Sequence, residues 1–410
     1  MSQHHEHRGL SPEFWRANLA NLLILTGSVM FVLLPACMEK YGMRRWEIGL
    51  ADGSFWLISV FVQPWLGPRL DKDGRKFYLV CGSLLMGVAA ACYAVVPIQF
   101  VPMLLLRTIH GLGFAMYLTS SWTWVADYSP PGRVGELFGI FGISGLVSGA
   151  IGPAGAELVR AHFEYDGLFL AGSSLIISGA LLTTTLKDRT PELTEKVRQR
   201  IPNFFRLIAT RAMRGTALGS MGFGVAIGSL FAFVAPYLQS LDIAGVGGLF
   251  ACTTLASGAS RVIAGRQTDV LGPARLVVPA LLLLAVGSFG IGQLGKLSHS
   301  NWVYAVLVAS GLSAGIGYGA VYPALNALAL DRLALEARGR GLSVVTAAID
   351  LGSTAGAALA GVVAHNHGYP TGFVAIAGIV GTFAVLFALV EAGWKRKHHR
   401  LGDTGELSQA

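Results

Sequence analysis

The sequence predicts an all-α integral membrane protein in which twelve transmembrane helices form two pseudo-symmetric six-helix bundles. Its 410 residues are 53% hydrophobic and only 13% charged, with a mean hydropathy of +0.57. The chain is therefore far more apolar than a soluble domain. Apolar runs of about 20 residues recur twelve times, and one short motif repeats at about half the chain length.

The twelve apolar runs follow one another from Phe14 to Trp394. Each run can cross about 30 Å of hydrocarbon, because a helix rises about 1.5 Å per residue. The predicted spans are 15–37, 47–66, 77–97, 100–125, 135–159, 166–186, 210–238, 244–265, 275–295, 302–329, 340–363 and 370–393. An even number of spans places both ends of the chain on one side of the membrane.

Polar stretches divide the spans into two halves. The segment from about Lys187 to Arg214 carries eight Lys or Arg residues and two prolines, which marks it as the joint. The opening residues lack the layout of a cleavable signal peptide, so the first span is expected to remain. The predicted regions are a cytoplasmic tail at 1–14, a six-helix bundle at 15–190, a cytoplasmic linker at 191–209, a second bundle at 210–393 and a cytoplasmic tail at 394–410.

Basic residues are unevenly distributed between the two sides of the predicted membrane domain. Of the 31 Lys and Arg residues, 24 lie on the side of the N-terminus, five lie on the other side and two lie within helices. Loops rich in Lys and Arg stay in the cytoplasm, so both termini are predicted to be cytoplasmic in the cytoplasmic (inner) membrane. The net charge of +8 then orients the protein, and no nucleic-acid partner is needed to explain it.

The motif GPRLDKDGRK, residues 67–76, has a partner in GRQTDVLG, residues 265–272. Both share the frame of a glycine, three residues, an aspartate, two residues and a glycine, at a constant offset of 198. A repeat at half the chain length indicates duplication. Duplicated six-helix halves are typical of secondary transporters, whose site lies between the halves.

Over essentially its whole length the chain resembles the major facilitator superfamily. GPRLDKDGRK resembles that family's signature between helices 2 and 3, RTIHGLGFA its helix-4 motif, and ADYSPPGRVGELFG the loop that follows. In the family the signature latches the halves in the outward-facing state; a loop that merely orients the chain is the alternative. The resemblance implies a conformational latch formed by Gly67, Asp71, Gly74, Arg75, Lys76, Gly265, Asp269 and Gly272.

The segment GISGLVSGAIGPAGA, residues 142–156, resembles the glycine-proline motif of helix 5 that is associated with antiporters. Gly152 and Pro153 are in place, whereas Ser148 replaces one glycine and the closing glycine pair is reduced to Gly155. The resemblance implies export, and the alternative is close helix packing through small residues.

Ionisable residues inside a membrane are costly and usually functional. Asp52 and Arg107 are expected at similar depth, where they form a pair that is either structural or coupled to proton movement. His110, one turn from Arg107, is a hydrogen-bonding residue or a proton carrier. Asp350 lies about eleven residues into the predicted helix 11 without a charged neighbour on its own helix. It is the fourth proton-coupling candidate, with a structural aspartate as the alternative.

Helical spacing places polar and aromatic side chains on single faces of several spans. In the family that the chain resembles, helices 1, 4, 7 and 10 line the cavity. Such residues indicate an amphipathic or aromatic substrate. The predicted cavity residues are Asn21, Ser28, Trp56, Gln63, Phe114, Tyr117, Tyr318, Tyr322 and Asn326. Arg261, near the inner end of helix 8, is expected to be a structural partner of Asp269.

No P-loop and no metal-ligand motif appears in the sequence, so an enzyme, a cofactor, a metal site and ATP-driven transport are not expected. The prediction is a monomeric secondary transporter that exports a small organic molecule in exchange for protons across the lipid bilayer, by rocking of its halves. An importer or facilitator of a nutrient such as a sugar or an organic acid is the first alternative. A membrane sensor without transport is the second.

Overall fold

A computed structural model of the chain describes residues 11–129, 133–188, 207, 210–333 and 338–403. This part of the chain is almost entirely helical and contains no strand. The helices are α1 (Pro12–Lys40), α2 (Arg45–Asp73), α3 (Arg75–Cys92), α4 (Phe100–Tyr128), α5 (134–163), α6 (165–184), α7 (Arg211–Ser240), α8 (Val246–Leu271), α9 (Pro273–Leu297), α10 (Val303–Asp331), α11 (338–367) and α12 (369–403).

Twelve spans follow from nine apolar helical segments in the described residues. Two of these segments, Val134–Thr184 and Arg338–Asp403, each contain two spans, because the backbone breaks at Glu164 (φ 56°) and at Gly368 (φ 84°). The twelfth span is α2, which is 29 residues long but too polar to count as apolar. The fold class predicted from the sequence is therefore confirmed.

The spans alternate in direction across the membrane. We call the side where α1 begins and α6 ends the linker face, and the side where α1 ends and α2 begins the far face. Contacts follow this alternation: Gly27 of α1 lies against Gly172 of α6 in antiparallel packing, whereas Asn21 and Thr26 of α1 meet Ser144 and Ser148 of α5 in parallel packing.

Two pairs of antiparallel helices join the halves, and they are related by the internal repeat. In the first pair, a Cβ at Gly49 of α2 would lie 2.5 Å from the carbonyl oxygen of Ala357 of α11. In the second pair, a Cβ at Gly247 of α8 would lie 2.7 Å from the Cα of Ala154 of α5. Gly49 and Gly247 are separated by the same 198 residues as the repeated motif, so duplication has preserved this close approach.

The boundaries differ from those predicted mainly at the linker face. Helix α2 continues to Asp73, seven residues beyond its predicted end, because the charged residues of the motif are helical. Helix α12 continues to Asp403, so the predicted C-terminal tail begins as helix. The predicted N-terminal tail lies outside the described residues up to position 10, and so does nearly all of the predicted linker.

Candidate functional site

A cavity of about 340 Å³ lies between the halves, with walls from both. Its volume is within the usual range for pockets that bind small molecules. Aromatic side chains dominate the wall, and they include Trp122 and Phe141, which the sequence did not single out. The predicted cavity residues that line it are Asn21, Ser28, Trp56, Phe114, Tyr318 and Tyr322.

Three residues predicted for the cavity have other contacts. Tyr117 is 1% exposed, and its hydroxyl donates a hydrogen bond to Oδ1 of Asn21 over 2.7 Å, so it supports a cavity residue from behind. The amide of Asn326 donates to the carbonyl oxygen of Tyr322. Gln63 lies between α2 and α11, where its Nε2 is 3.4 Å from Oδ2 of Asp350. Helical spacing identified the right faces but not the depth of each residue behind the wall.

Asp52 and Arg107 form an ion pair in which Nη2 of Arg107 donates to Oδ1 of Asp52. Both residues line the cavity, yet they are only 2% and 6% exposed. The guanidinium also lies 4.4 Å from the ring centre of Phe55, a cation–π contact. Such a buried pair is costly to break, because either partner alone would be a buried charge.

His110 is enclosed by aromatic rings and does not reach the cavity. Its ring centre lies 5.2 Å from that of Phe31 and 5.4 Å from that of Phe55. Its Nδ1 is 3.4 Å from the hydroxyl of Tyr93, and the residue is fully buried. Its Nε2 has no hydrogen-bond partner among the described residues, so the choice between a hydrogen-bonding residue and a proton carrier stays a prediction.

Asp350 is 6% exposed and lies on the cavity wall. Among the described side chains, none with a positive charge lies within ion-pair distance of its carboxylate. Its contact is the amide of Gln63, which also lies 3.0 Å from the hydroxyl of Ser59. Gln63 belongs to the first half and Asp350 to the second, so this carboxyl lies on the surface where the halves meet.

Arg261 lines the cavity, whereas the sequence predicted a structural residue paired with Asp269. Its guanidinium carbon lies 5.9 Å from the ring centre of Tyr322, which also faces the cavity. The side chain of Asp269 lies outside what the structure describes, so the predicted pairing stays a prediction. The signal available in the sequence was an arginine within an apolar span, because intramembrane charges usually face a cavity or a partner inside the protein.

The motif at Gly74 to Lys76 makes its described contacts within the first half. Gly74 has φ 89°, and the backbone N–H groups of Arg75 and Lys76 point to Oδ1 of Asp188 at the end of α6. The carboxylate thus caps the start of α3. Nε of Arg75 donates to Asp127 of α4 over 2.8 Å, so the motif ties together the linker-face ends of four spans.

The remaining latch residues show a partial repeat of this geometry. Gly272 has φ 81° and starts α9 as Gly74 starts α3. Around Gly265, no described atom lies within 4 Å of the position that a Cβ would take. Gly67, Asp71 and Asp269 lie in helices, but their side-chain surroundings are outside the described structure. The latch itself therefore stays a prediction.

The far face is closed by contacts that the sequence analysis did not find. The carboxylate of Glu157 accepts hydrogen bonds from the backbone N–H groups of Val246 and Gly247, both at 2.9 Å. It joins the end of α5 to the start of α8. Glutamate at a helix N-terminus is favourable, but only the fold shows that this helix belongs to the other half.

A second set of far-face contacts joins α2 to the end of α11 and the start of α12. Nη1 of Arg45 donates to the carbonyl oxygen of Ala364 over 3.0 Å, and its guanidinium lies 4.0 Å from the ring centre of Tyr369. The hydroxyl of Tyr369 donates to Glu39. In the described part of the chain, the hydrogen bonds that join the halves lie between these far-face contacts and the pair of Gln63 and Asp350. None of them lies closer to the linker face than that pair. Among the described residues, the hydrogen bonds that join the halves therefore lie at the far face and extend inward to the cavity.

Two six-helix halves with a cavity between them are the architecture of a membrane transporter of the alternating-access type. A family model described as the Major Facilitator Superfamily matches residues 18–313 and 216–406. The chain belongs to this family, as its repeated motif predicts. It is a multi-pass membrane transporter and, like the family, not an enzyme.

Curated relatives and solved structures agree with this assignment. The chain is 24% identical to an uncharacterized MFS-type transporter of Methanocaldococcus jannaschii, over 80% of this chain and 84% of that one. It is 22% identical to the multidrug resistance protein MdtG of Escherichia fergusonii, over 95% and 97%. A mutant of the nucleoside transporter NupG has a similar fold, with a TM-score of 0.77 at 16% identity over 92% of this chain and 99% of that chain.

Proposed function

We propose that this protein is a monomeric, proton-coupled exporter of small organic molecules in the cytoplasmic membrane. The observation that carries the proposal is the buried carboxyl of Asp350, which lies on the cavity wall and contacts Gln63 of the opposite half. A carboxyl at this position binds a proton or releases it as the halves rock, because its surroundings change with their relative position.

The distribution of basic residues supports the orientation. The linker face corresponds to the side with 24 Lys and Arg residues, which makes it cytoplasmic by the positive-inside rule. The far-face hydrogen bonds that join the halves then lie on the opposite side of the membrane, which favours a cavity that opens to the cytoplasm. A cavity that is open on this side receives its substrate from the cytoplasm, as an exporter requires.

Support for export also comes from the relatives and from α5. The name of the MdtG proteins, which match along nearly their whole length, states multidrug resistance. The glycine-proline segment at 142–156 resembles the antiporter motif. Within α5, Gly152 lies against Val29 of α1, so the segment serves close packing at the cavity edge as well.

Everted membrane vesicles with an acidified lumen test this function, because their outer surface is the cytoplasmic one. A panel of drugs, sugars and organic acids is added, and a pH-sensitive dye reports the lumen. An antiporter releases lumen protons when its substrate is added. We expect Asp350→Asn to abolish this release, whereas Asp331→Asn, an exposed carboxyl at the end of α10, leaves it intact.

The other outcomes separate the alternatives. Substrate movement without a change in lumen pH, unaffected by Asp350→Asn, overturns proton coupling and indicates a facilitator. Proton-linked movement out of the lumen indicates an importer. Proton release that survives Asp350→Asn transfers the coupling role to the pair of Asp52 and Arg107.

A further inference from the structure

The cavity wall contains nitrogen atoms that donate hydrogen bonds and have nothing to donate to. Within the described part of the chain, Nε1 of Trp56, Nε of Arg107 and Nε of Arg261 are buried without a hydrogen-bond partner, and all three residues line the same cavity. Indole and guanidinium nitrogens donate and never accept. Buried polar groups in folded proteins almost always have a partner, so three orphaned donors around one cavity indicate a ligand that supplies acceptors.

The charges of the wall give the same indication. Asp52 and Arg107 neutralise each other through their ion pair. Asp350 receives the amide of Gln63, and a carboxyl can also become neutral by binding a proton. Arg261 has neither option, since a guanidinium stays protonated in proteins and its described contact is the ring of Tyr322. Among the described residues, Arg261 is thus the cavity charge that is neither held by a counter-charge nor able to lose its proton.

Arg261 stands where a substrate entering from the linker face would meet it. It lies ten residues from the end of α8 at Leu271, and Asp350 lies twelve residues from the start of α11 at Arg338. At about 1.5 Å per residue, both are about 15–18 Å deep. Tyr322 is near both side chains, so the three residues form one polar end of the cavity.

The opposite end of the site is apolar. A second cavity of about 170 Å³ lies mainly among α7, α8, α9 and α10 of the second half, and Val29 of α1 and Gly149 of α5 also line it. It shares Ile227, Phe231 and Tyr318 with the main cavity, so the two spaces are continuous along these side chains. Its wall contains no charged residue, which suits a ring or an alkyl group.

We infer that the transported molecule is an organic anion with an aromatic or apolar body. Its carboxylate, sulfonate or phosphonate group binds Arg261, and its body extends past Tyr318 into the apolar extension. Trp56 and Arg107 supply further donors to acceptor atoms of the body. This substrate class rests on the proposed transport function, but the binding preference is measurable without transport.

Binding to the purified protein in detergent tests the inference, measured by isothermal titration calorimetry with three matched probes. These are 1-naphthaleneacetate, its neutral amide, and 2-(1-naphthyl)ethylamine. We expect the anion to bind about tenfold or more tightly than either of the others, the difference that one charge-assisted hydrogen bond gives. Arg261→Gln should remove this preference and Arg261→Lys should retain part of it. Arg275→Gln, an exposed cation on α9, is the matched control.

A second variant guards against a fold defect at Arg261. Trp56→Phe keeps the aromatic ring and removes only the N–H donor, so it should weaken binding of 6-methoxy-1-naphthaleneacetate, whose ether oxygen can accept, more than binding of 1-naphthaleneacetate, whose body has no acceptor. Equal or tighter binding of the amine, or no binding of the anion to the wild type, overturns the inference. Both results are independent of proton release from vesicles, so failure of the substrate class and failure of proton coupling are distinguishable.

Discussion

Asp52 and Asp350 are both buried carboxyls on the wall of one cavity, but their partners differ. Asp52 is held by the guanidinium of Arg107, whereas Asp350 meets an amide of the opposite half. A carboxylate held by a cation gains from staying charged, and one held by a neutral amide can exchange a proton at little structural cost. Under the proposed function, this difference predicts that Asp52 serves chiefly stability and Asp350 proton-coupled movement.

The largest expected effect comes from breaking the ion pair. Arg107→Gln leaves Asp52 as a buried charge without a counter-charge, and we expect a loss of about 3–5 kcal/mol in the free energy of unfolding. Titration of the purified protein with SDS, followed by tryptophan fluorescence, measures it. A loss below about 1 kcal/mol would mean that Asp52 is already neutral or hydrated and that the pair contributes little.

Neutralising both partners should restore most of that loss. In Asp52→Asn/Arg107→Gln no charge is left buried, so we expect the double variant to be about 2 kcal/mol more stable than Arg107→Gln alone. The same SDS titration, applied to Asp52→Asn, to Arg107→Gln and to the double variant, gives the coupling energy of the pair. Transport by the double variant is the sharper readout, since retained proton release would make the pair structural and leave coupling to Asp350.

A third carboxyl, Glu157, sharpens the comparison because its partners are two backbone N–H groups. Glu157→Gln keeps one acceptor oxygen and removes the charge at the start of α8, which should cost the far-face closure about 1 kcal/mol. Cysteine pairs across α5 and α8, cross-linked in membranes, report the open fraction. An unchanged cross-linking yield would indicate that the contacts of Arg45 hold the far face by themselves.

Asp350→Asn should have the smallest effect on stability. Asparagine has nearly the same shape, and its side-chain oxygen still accepts from Gln63, so we expect a change below about 1 kcal/mol. Unfolding in SDS checks this value alongside the loss of proton release. A destabilisation as large as that of Arg107→Gln would show that Asp350 is a structural charge, which would remove the contrast between the two carboxyls.

Much of the fold was readable from the sequence because the bilayer imposes length, composition and charge rules on every span. The repeat at an offset of 198 led directly to the two halves, and the pairing of Asp52 with Arg107 followed from their depth. These inferences need only one span or one pair of spans. Rules that apply to each span whatever its tertiary contacts are strongest for membrane proteins.

The contacts between the halves were not readable in the same way. Glu157 and the start of α8 are about 90 residues apart, and nothing in either segment identifies its partner. The place of Arg261 on the cavity wall beside Tyr322 was not predicted either, and its predicted pairing with Asp269 stays a prediction. Which residues face the cavity depends on how far each helix is rotated, and spacing along one helix does not fix that rotation.

The bonds of Glu157 have a consequence for how the far face opens. When α5 and α8 separate, the N–H groups of Val246 and Gly247 lose their acceptor, and hydrocarbon offers no replacement. Water must therefore enter the seam as it opens, and the two conformations differ in the number of bound water molecules. A solute too large to enter the gap between α5 and α8 draws water out of that gap. Adding it should therefore increase the fraction of molecules whose far face is closed, at constant membrane potential and pH.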